Sequence, residues 1–232
     1  NKEKDIEKID FETAAVILET IQGGAGFILP TNNYLKKIEK KCKEVNALLI
    51  LDEIQPGMGR TGKLFAFEHY DIIPDILVYG KGLGGGFPIG ALSSSKEKME
   101  LFQESPILGH ITTFGGHPVI ASAALANLKE TLNSGVMTKI KQKENLIREL
   151  LKHELITEIR GKGLMLALIM KNKIIANQLV INSLEKGLIL FWLLFEEKAV
   201  RITPPLTISN KEIKLGCKTI IDTLDEINKT VN

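Results

Sequence analysis

Three short apolar runs dominate the first part of the chain: TAAVILETI at residues 13–21, ALLILDEI at 47–54 and PDILVYGKG at 74–82. The first reads as a buried strand, too apolar for a solvated edge; the second is a short apolar strand ending in acid, and the third a strand ending at a lysine among glycines. Between the first two lies YLKKIEKKCKEVN, opened by Pro30, Thr31, Asn32 and Asn33. In it Leu35, Ile38, Cys42 and Val45 recur at helical spacing with lysines between them. Strand, one-sided helix and strand at this spacing predict a parallel sheet, because parallel neighbours need a long crossover. The prediction also constrains any site, since ligands of parallel sheets bind beyond the carboxyl ends of the strands.

After Gly90, ALSSS predicts one more strand, and the turn Gly115, Gly116, His117, Pro118 leads into VIASAALANLKETL, rich in strong helix formers. Residues 139–152 continue as a helix. The pattern then changes to EIRGKGLMLALIM, a helix at 173–186, GLILFWLLF, VRITPPL and a last helix at 210–229. This second half reads as an α+β domain, which divides the chain into residues 1–138 and 139–232.

Charge narrows the function classes. A formal net charge of +2, from 30 basic and 28 acidic residues with no basic stripe, argues against a nucleic-acid surface. Cys42 and Cys217 form no CxxC pattern and fit a reducing compartment. The apolar stretch at 187–195 falls well short of the ~20 residues needed to cross a bilayer. No signal-peptide pattern opens the chain, so the expected location is the cytoplasm, with no membrane partner. His69, His110, His117 and His153 are scattered and are assigned no metal. A magnesium cluster of Glu19, Asp52 and Glu53 lacks phosphate-loop spacing or paired histidines.

GxGxxG occurs twice, at Gly57, Gly59, Gly62 and at Gly80, Gly82, Gly85. A dinucleotide fold needs those glycines between a strand and a helix, whereas the second copy runs into Pro88 and a strand-like segment. Lys81 is more informative. It follows an apolar strand, between two glycines, with no acid nearby in sequence. A lysine in a low-dielectric cleft loses the solvation of its ammonium form and becomes a nucleophile able to form a Schiff base. On position alone, a lysine that simply extends out of the fold satisfies the same pattern. Asp52 ends the LLIL run and Glu53 follows, so alternation sends one acid toward the strand-end cleft and the other to the opposite face. A carboxylate in that cleft would pair with a protonated heterocyclic nitrogen; a cap or loop salt bridge is the plainer alternative.

The string DEIQPGMGRTGKLFAFEHYDIIPDILVYGKGLGGGFPIGA at 52–91, followed by HITTFGGHP at 110–118, closely resembles the class III aminotransferases of pyridoxal-phosphate fold type I, in their acetylornithine and ornithine branch. The resemblance runs from about Ala14 to the C-terminus. It implies an α/β fold comprising the C-terminal half of the large cofactor-binding domain, with a mainly parallel sheet, plus a small α+β C-terminal domain. It further implies that Lys81 forms the Schiff base with pyridoxal 5'-phosphate and shuttles a proton, that Asp52 pairs with the pyridine nitrogen, and that Gln55 lies beside the ring hydroxyl. Glu19 matches an acid near the substrate. Thr113 matches a threonine that reaches the neighbouring subunit's cofactor phosphate, so a homodimer with shared sites is expected. Arg201 matches an arginine that binds a substrate carboxylate through two parallel hydrogen bonds. The implied reaction exchanges an amino group between an amino acid, such as acetylornithine or ornithine, and 2-oxoglutarate.

Two departures qualify the expectation. Ornithine-type members place a glutamate after IQG that can pair with the arginine, whereas here Gly24 stands there, which favours substrates that present a carboxylate to Arg201 in both half-reactions. Family members also carry a long segment before the position matching Asn1, which supplies the phosphate loop and an aromatic ring over the cofactor. A chain without it would expose a sheet edge and an apolar face. The alternatives are a remnant of the fold that retains no cofactor, and a mutase or racemase on the same scaffold.

Overall fold

The structure, a computed structural model, describes residues 1–31, 33–104 and 107–231; Asn32 of the expected helix-opening group lies outside them. It divides into two compact units. The first holds Asn1–Thr20, Pro30–Met58 and Phe65–Ser134; the second holds Ile21–Leu29, Gly59–Leu64 and Gly135–Asn232.

In the first unit β1 (Ala15–Glu19), β2 (Leu48–Asp52), β3 (Ile76–Gly80) and β4 (Gly90–Ser94) form one sheet in that order. The first three strands are parallel, as their apolar sequences predict, and β4 returns antiparallel to β3. Helix α1 (Tyr34–Val45) supplies the crossover from β1 to β2. Its buried stripe of Leu35, Ile38, Cys42 and Val45 packs with Leu49 and Leu51 of β2, the faces that helical and strand periodicity assign to the core. Asn46 ends the helix in the left-handed region at φ 60° and donates its N–H to the Cys42 carbonyl. Two further helices, α2 (Lys96–Glu100) and α3 (Pro118–Asn133), follow the sheet. Pro118 stands at the first helical position, where its missing N–H costs nothing. Strand β1 is an edge rather than the buried strand its apolar run predicts, and Ile17 on it is exposed, as are Val119, Leu125 and Leu132 of α3.

In the second unit β5 (Ile156–Lys162), β6 (Met165–Met170), β7 (Phe191–Trp192) and β8 (Ala199–Ile202) form an antiparallel sheet of order β5-β6-β8-β7. Helices α4 (Ile140–Leu150), α5 (Lys173–Glu185) and α6 (Asn210–Val231) accompany it. Every residue of the interior strand β6 is buried, which explains why MLALIM carries no polar alternation. Ile147, Leu168, Leu179, Ile220 and Leu224 belong to one apolar core. The long run GLILFWLLF yields only a two-residue strand, because β7 meets the short β8 only at Phe191↔Arg201 and Trp192↔Val200. Beyond that the chain leaves the sheet, and the Phe195 N–H donates to the Gly24 carbonyl at 2.9 Å. Among the described residues, no helix is long and apolar enough to cross a membrane.

Candidate active site

The parallel strands of the first unit deliver three of the expected residues to one sheet edge. Glu19 and Asp52 are register partners at the carboxyl ends of β1 and β2. Lys81 follows directly on the last residue of β3. Asp52 is half-buried, and its Oδ1 accepts a hydrogen bond from the Ile54 amide at 2.9 Å. Gln55, half-buried, lies in the turn after β2. Lys81 is exposed and its side chain makes no hydrogen bond or ion pair among the described residues.

The backbone at Lys81 lies at φ 41°, a left-handed conformation that side chains other than glycine rarely adopt. Such outliers persist only where the surroundings hold them. Here the single turn Lys81–Gly84 is pinned from α3: the Asn127 side-chain amide donates to the Gly82 carbonyl at 2.6 Å and to the Leu83 carbonyl at 3.4 Å. No α-helix follows these glycines; the chain passes into β4. Asn127 went unread in the sequence, where it is one amide in a run of strong helix formers.

The two acids at the end of β2 differ in setting, and the buried one is Glu53. Its carboxylate accepts from Thr20 Oγ1 at 2.6 Å and from the amides of Ala66 and Phe67, each at 2.8 Å. Burial raises its pKa above the ordinary carboxylate value, against the opposing pull of the three donors. An acid whose folded pKa exceeds its unfolded one binds more protons in the native state, so its contribution to stability declines as pH rises from the unfolded value, 4.5, through the raised one. Glu53→Gln cannot titrate. The stability of the wild type relative to this variant is therefore expected to fall across that window, read as urea midpoints of both proteins at successive pH values. A difference that grows with pH would contradict the raised value.

The remaining expected residues lie elsewhere. Thr113 is exposed in the turn segment before α3. Arg201 is half-buried on β8 of the second unit, its guanidinium 5.1 Å from the centre of the Phe191 ring, and no acid pairs with it among the described residues. At Gly24, also in the second unit, an added Cβ would stand 2.9 Å from Phe195 Cδ2, so any side chain there must displace that ring.

Residues 2–224 match the family model for class III aminotransferases. The chain belongs to this family. It is 40% identical over 226 residues to an acetylornithine aminotransferase of Caldanaerobacter subterraneus subsp. tengcongensis, covering 95% of this chain and 56% of the relative. It is 41% identical over 232 residues to a putrescine aminotransferase of Pectobacterium atrosepticum, covering 97% and 49%. A Bacillus anthracis aminotransferase structure superposes with a TM-score of 0.88 at 31% identity, covering 97% of this chain and 56% of that one. The class III aminotransferase chain thus spans about half the length of the relatives it matches.

Class III aminotransferases depend on pyridoxal phosphate. The donor set at the sheet edge suits that group: an amine without an ion-pair partner, able to condense with an aldehyde, and a carboxylate on the neighbouring strand, able to face a protonated ring nitrogen.

Proposed function

We propose that this chain carries the lysine-bearing part of an aminotransferase that moves an amino group between an amino acid, such as acetylornithine or ornithine, and 2-oxoglutarate. The observation that carries the reading is the unpaired Lys81 amine at the end of β3, with Asp52 at the end of the adjacent parallel strand. Residues 1–138 then form part of the cofactor-binding domain and 139–232 the small C-terminal domain, working as a homodimer in the cytoplasm. The two buried free cysteines are in keeping with that compartment.

Bound there, pyridoxal phosphate supplies an aldehyde for the amine and a ring that accepts electrons as the substrate carbon loses its proton. Lys81 Nζ acts as nucleophile and as the carrier of that proton. Asp52 keeps a positive ring nitrogen in place by charge, its own orientation fixed by the Ile54 amide. Gln55 would lie beside the ring hydroxyl, and Glu19, the register partner of Asp52, would lie near the substrate. Arg201 takes the substrate carboxylate in a planar two-pronged contact. Because Arg201 has no acid partner among the described residues and Gly24 offers none, substrates that keep a carboxylate at this position are favoured over those presenting a bare amine. Thr113 would donate its hydroxyl proton to the phosphate held by the neighbouring subunit.

Incubation with pyridoxal phosphate, reduction with borohydride and peptide mapping tests the reading. The expected result is one pyridoxyl group per chain, on Lys81. Label scattered over surface lysines, or concentrated on another one, would remove its basis.

A further inference from the structure

Arg60 carries a charge that the proposed chemistry leaves unused. It lies in the segment Gly59–Leu64, which belongs to the second unit although its flanking residues belong to the first. The segment is a tight turn, with the Gly59 N–H donating to the Leu64 carbonyl at 3.1 Å and the Gly62 N–H to the Gly59 carbonyl at 3.0 Å. It is fastened to the β5–β6 turn in both directions. The Leu164 N–H donates to the Arg60 carbonyl at 2.9 Å, and Arg60 Nη1 donates to the Leu164 carbonyl at 3.3 Å. The same Nη1 donates to the Pro204 carbonyl.

Strand register explains this bridge. Leu166 of β6 stands opposite Ile202 of β8, and Ala167 opposite Arg201. Continued two residues outward from Leu166, the same register sets Leu164 opposite Pro204, which has no N–H to extend the ladder. The guanidinium of Arg60 occupies the missing rung, joining the two carbonyls that the proline leaves without an amide between them.

Electrostatics make a second, independent point. Neither Arg60 nor Arg201 has a carboxylate within ion-pair distance among the described residues. Burial lowers the affinity of Arg60 for its proton, and the positive charge of Arg201 lowers it further, so the two guanidinium groups feel one another. Lys143 donates to the Leu206 carbonyl of the same loop and feels both the positive charge of Lys139 and the negative charge of Glu212. Arg60 and Arg201 therefore add to a positive field at this end of β8. Two like charges kept close without an acid are unfavourable by themselves, and an arriving anion relieves the repulsion.

We propose that Arg60 is a positioning residue for carboxylate recognition by Arg201: it closes the end of the β6·β8 pair that carries Arg201 and, as a second unpaired cation, strengthens the hold on a carboxylate-bearing substrate. The inference rests on reading Arg201 as the carboxylate site, and the experiment separates the two. Trp192, the only tryptophan, sits on β7 beside the Phe191 ring that Arg201 covers, so its fluorescence reports on this place.

The full chain is titrated with succinate at constant ionic strength, together with Arg201→Gln, Arg60→Gln and Arg60→Lys, and the melting curve of each is recorded. The expected result is a saturable response in the wild type and its loss in Arg201→Gln. Affinity should fall by about tenfold in Arg60→Gln, which keeps a donor but no charge, and return to within about threefold of wild type in Arg60→Lys. Should Arg60→Gln alone fail to fold, the same substitution in a Pro204→Ala background, which restores an amide to the missing rung, makes the comparison. Unchanged succinate affinity in Arg60→Gln, alongside loss in Arg201→Gln, would show that Arg60 serves the loop only and overturn the inference. A wild type without a saturable response would overturn the reading of Arg201 and this inference with it.

Discussion

Lys81→Ala is expected to abolish both the borohydride-trapped label and amino-group transfer while leaving the fold intact. The side chain is exposed and makes no hydrogen bond or ion pair among the described residues, so its removal orphans no partner there. On the proposed mechanism chemistry should suffer in full, because one atom would serve as nucleophile and proton carrier; a loss of at least about a thousandfold is expected. Lys81→Arg retains the charge but not a nucleophilic amine, and should be equally inactive. The backbone supplies a companion measurement. At φ 41° a side chain of any kind is strained, so Lys81→Gly should be more stable than Lys81→Ala by about 1 kcal/mol. Turnover within tenfold of wild type in Lys81→Ala would remove the lysine from the mechanism. Equal stability of the glycine and alanine variants would show that the turn is not strained.

The same turn shows what kind of information the sequence held. Lys81 could be placed at a strand end because ILVYG is apolar throughout and glycines follow it, and both signals are local. Its anchorage was not legible, since Asn127 lies 46 residues later and meets the Gly82 carbonyl only once α3 is in place. Alternation after LLIL separated Asp52 from Glu53, yet nothing nearby announced that Glu53 would be enclosed by Thr20, Ala66 and Phe67, which arrive from two other segments. The run GLILFWLLF yields a two-residue β7 for a related reason: strand length is set by pairing, and only Phe191 and Trp192 pair with β8. Nor does Gly59–Leu64 carry any local mark of belonging to the second unit. Its membership depends on the reciprocal bonds of Arg60 with Leu164, whose cause is a proline far along the chain. Apolar runs and helical stripes are thus readable where burial follows from a segment's own pattern. Polar contacts that fasten one segment to another are not.

Gly161→Ala tests the least forgiving of those contacts and should give the largest stability change in the second unit. Gly161 lies in β5 opposite Leu166, at φ +99°. A Cβ there would fall 2.0 Å from the Met165 carbonyl oxygen and 3.2 Å from the Leu166 Cα, both backbone atoms of β6. Those atoms cannot retreat, since β6 is buried at every residue and held by β5 on one side and β8 on the other. Gly161 also accepts at its carbonyl from Arg148 Nη2 at 2.8 Å, so any shift of β5 strains the tie to α4 as well. Steric overlap added to an unfavourable φ should cost about 4 kcal/mol, a large share of the roughly 5–15 kcal/mol that holds a domain together. The melting temperature of the second unit should fall by roughly 15 °C. Gly187→Ala provides the control: at φ +80°, with nothing within 4 Å of the added carbon, it pays only the conformational penalty of about 1 kcal/mol. Circular dichroism melts of the two variants decide the matter. If Gly161→Ala melts no lower than Gly187→Ala, then β6 is free to move, and the rigid end of the β6·β8 pair on which Arg201 is mounted has to be given up.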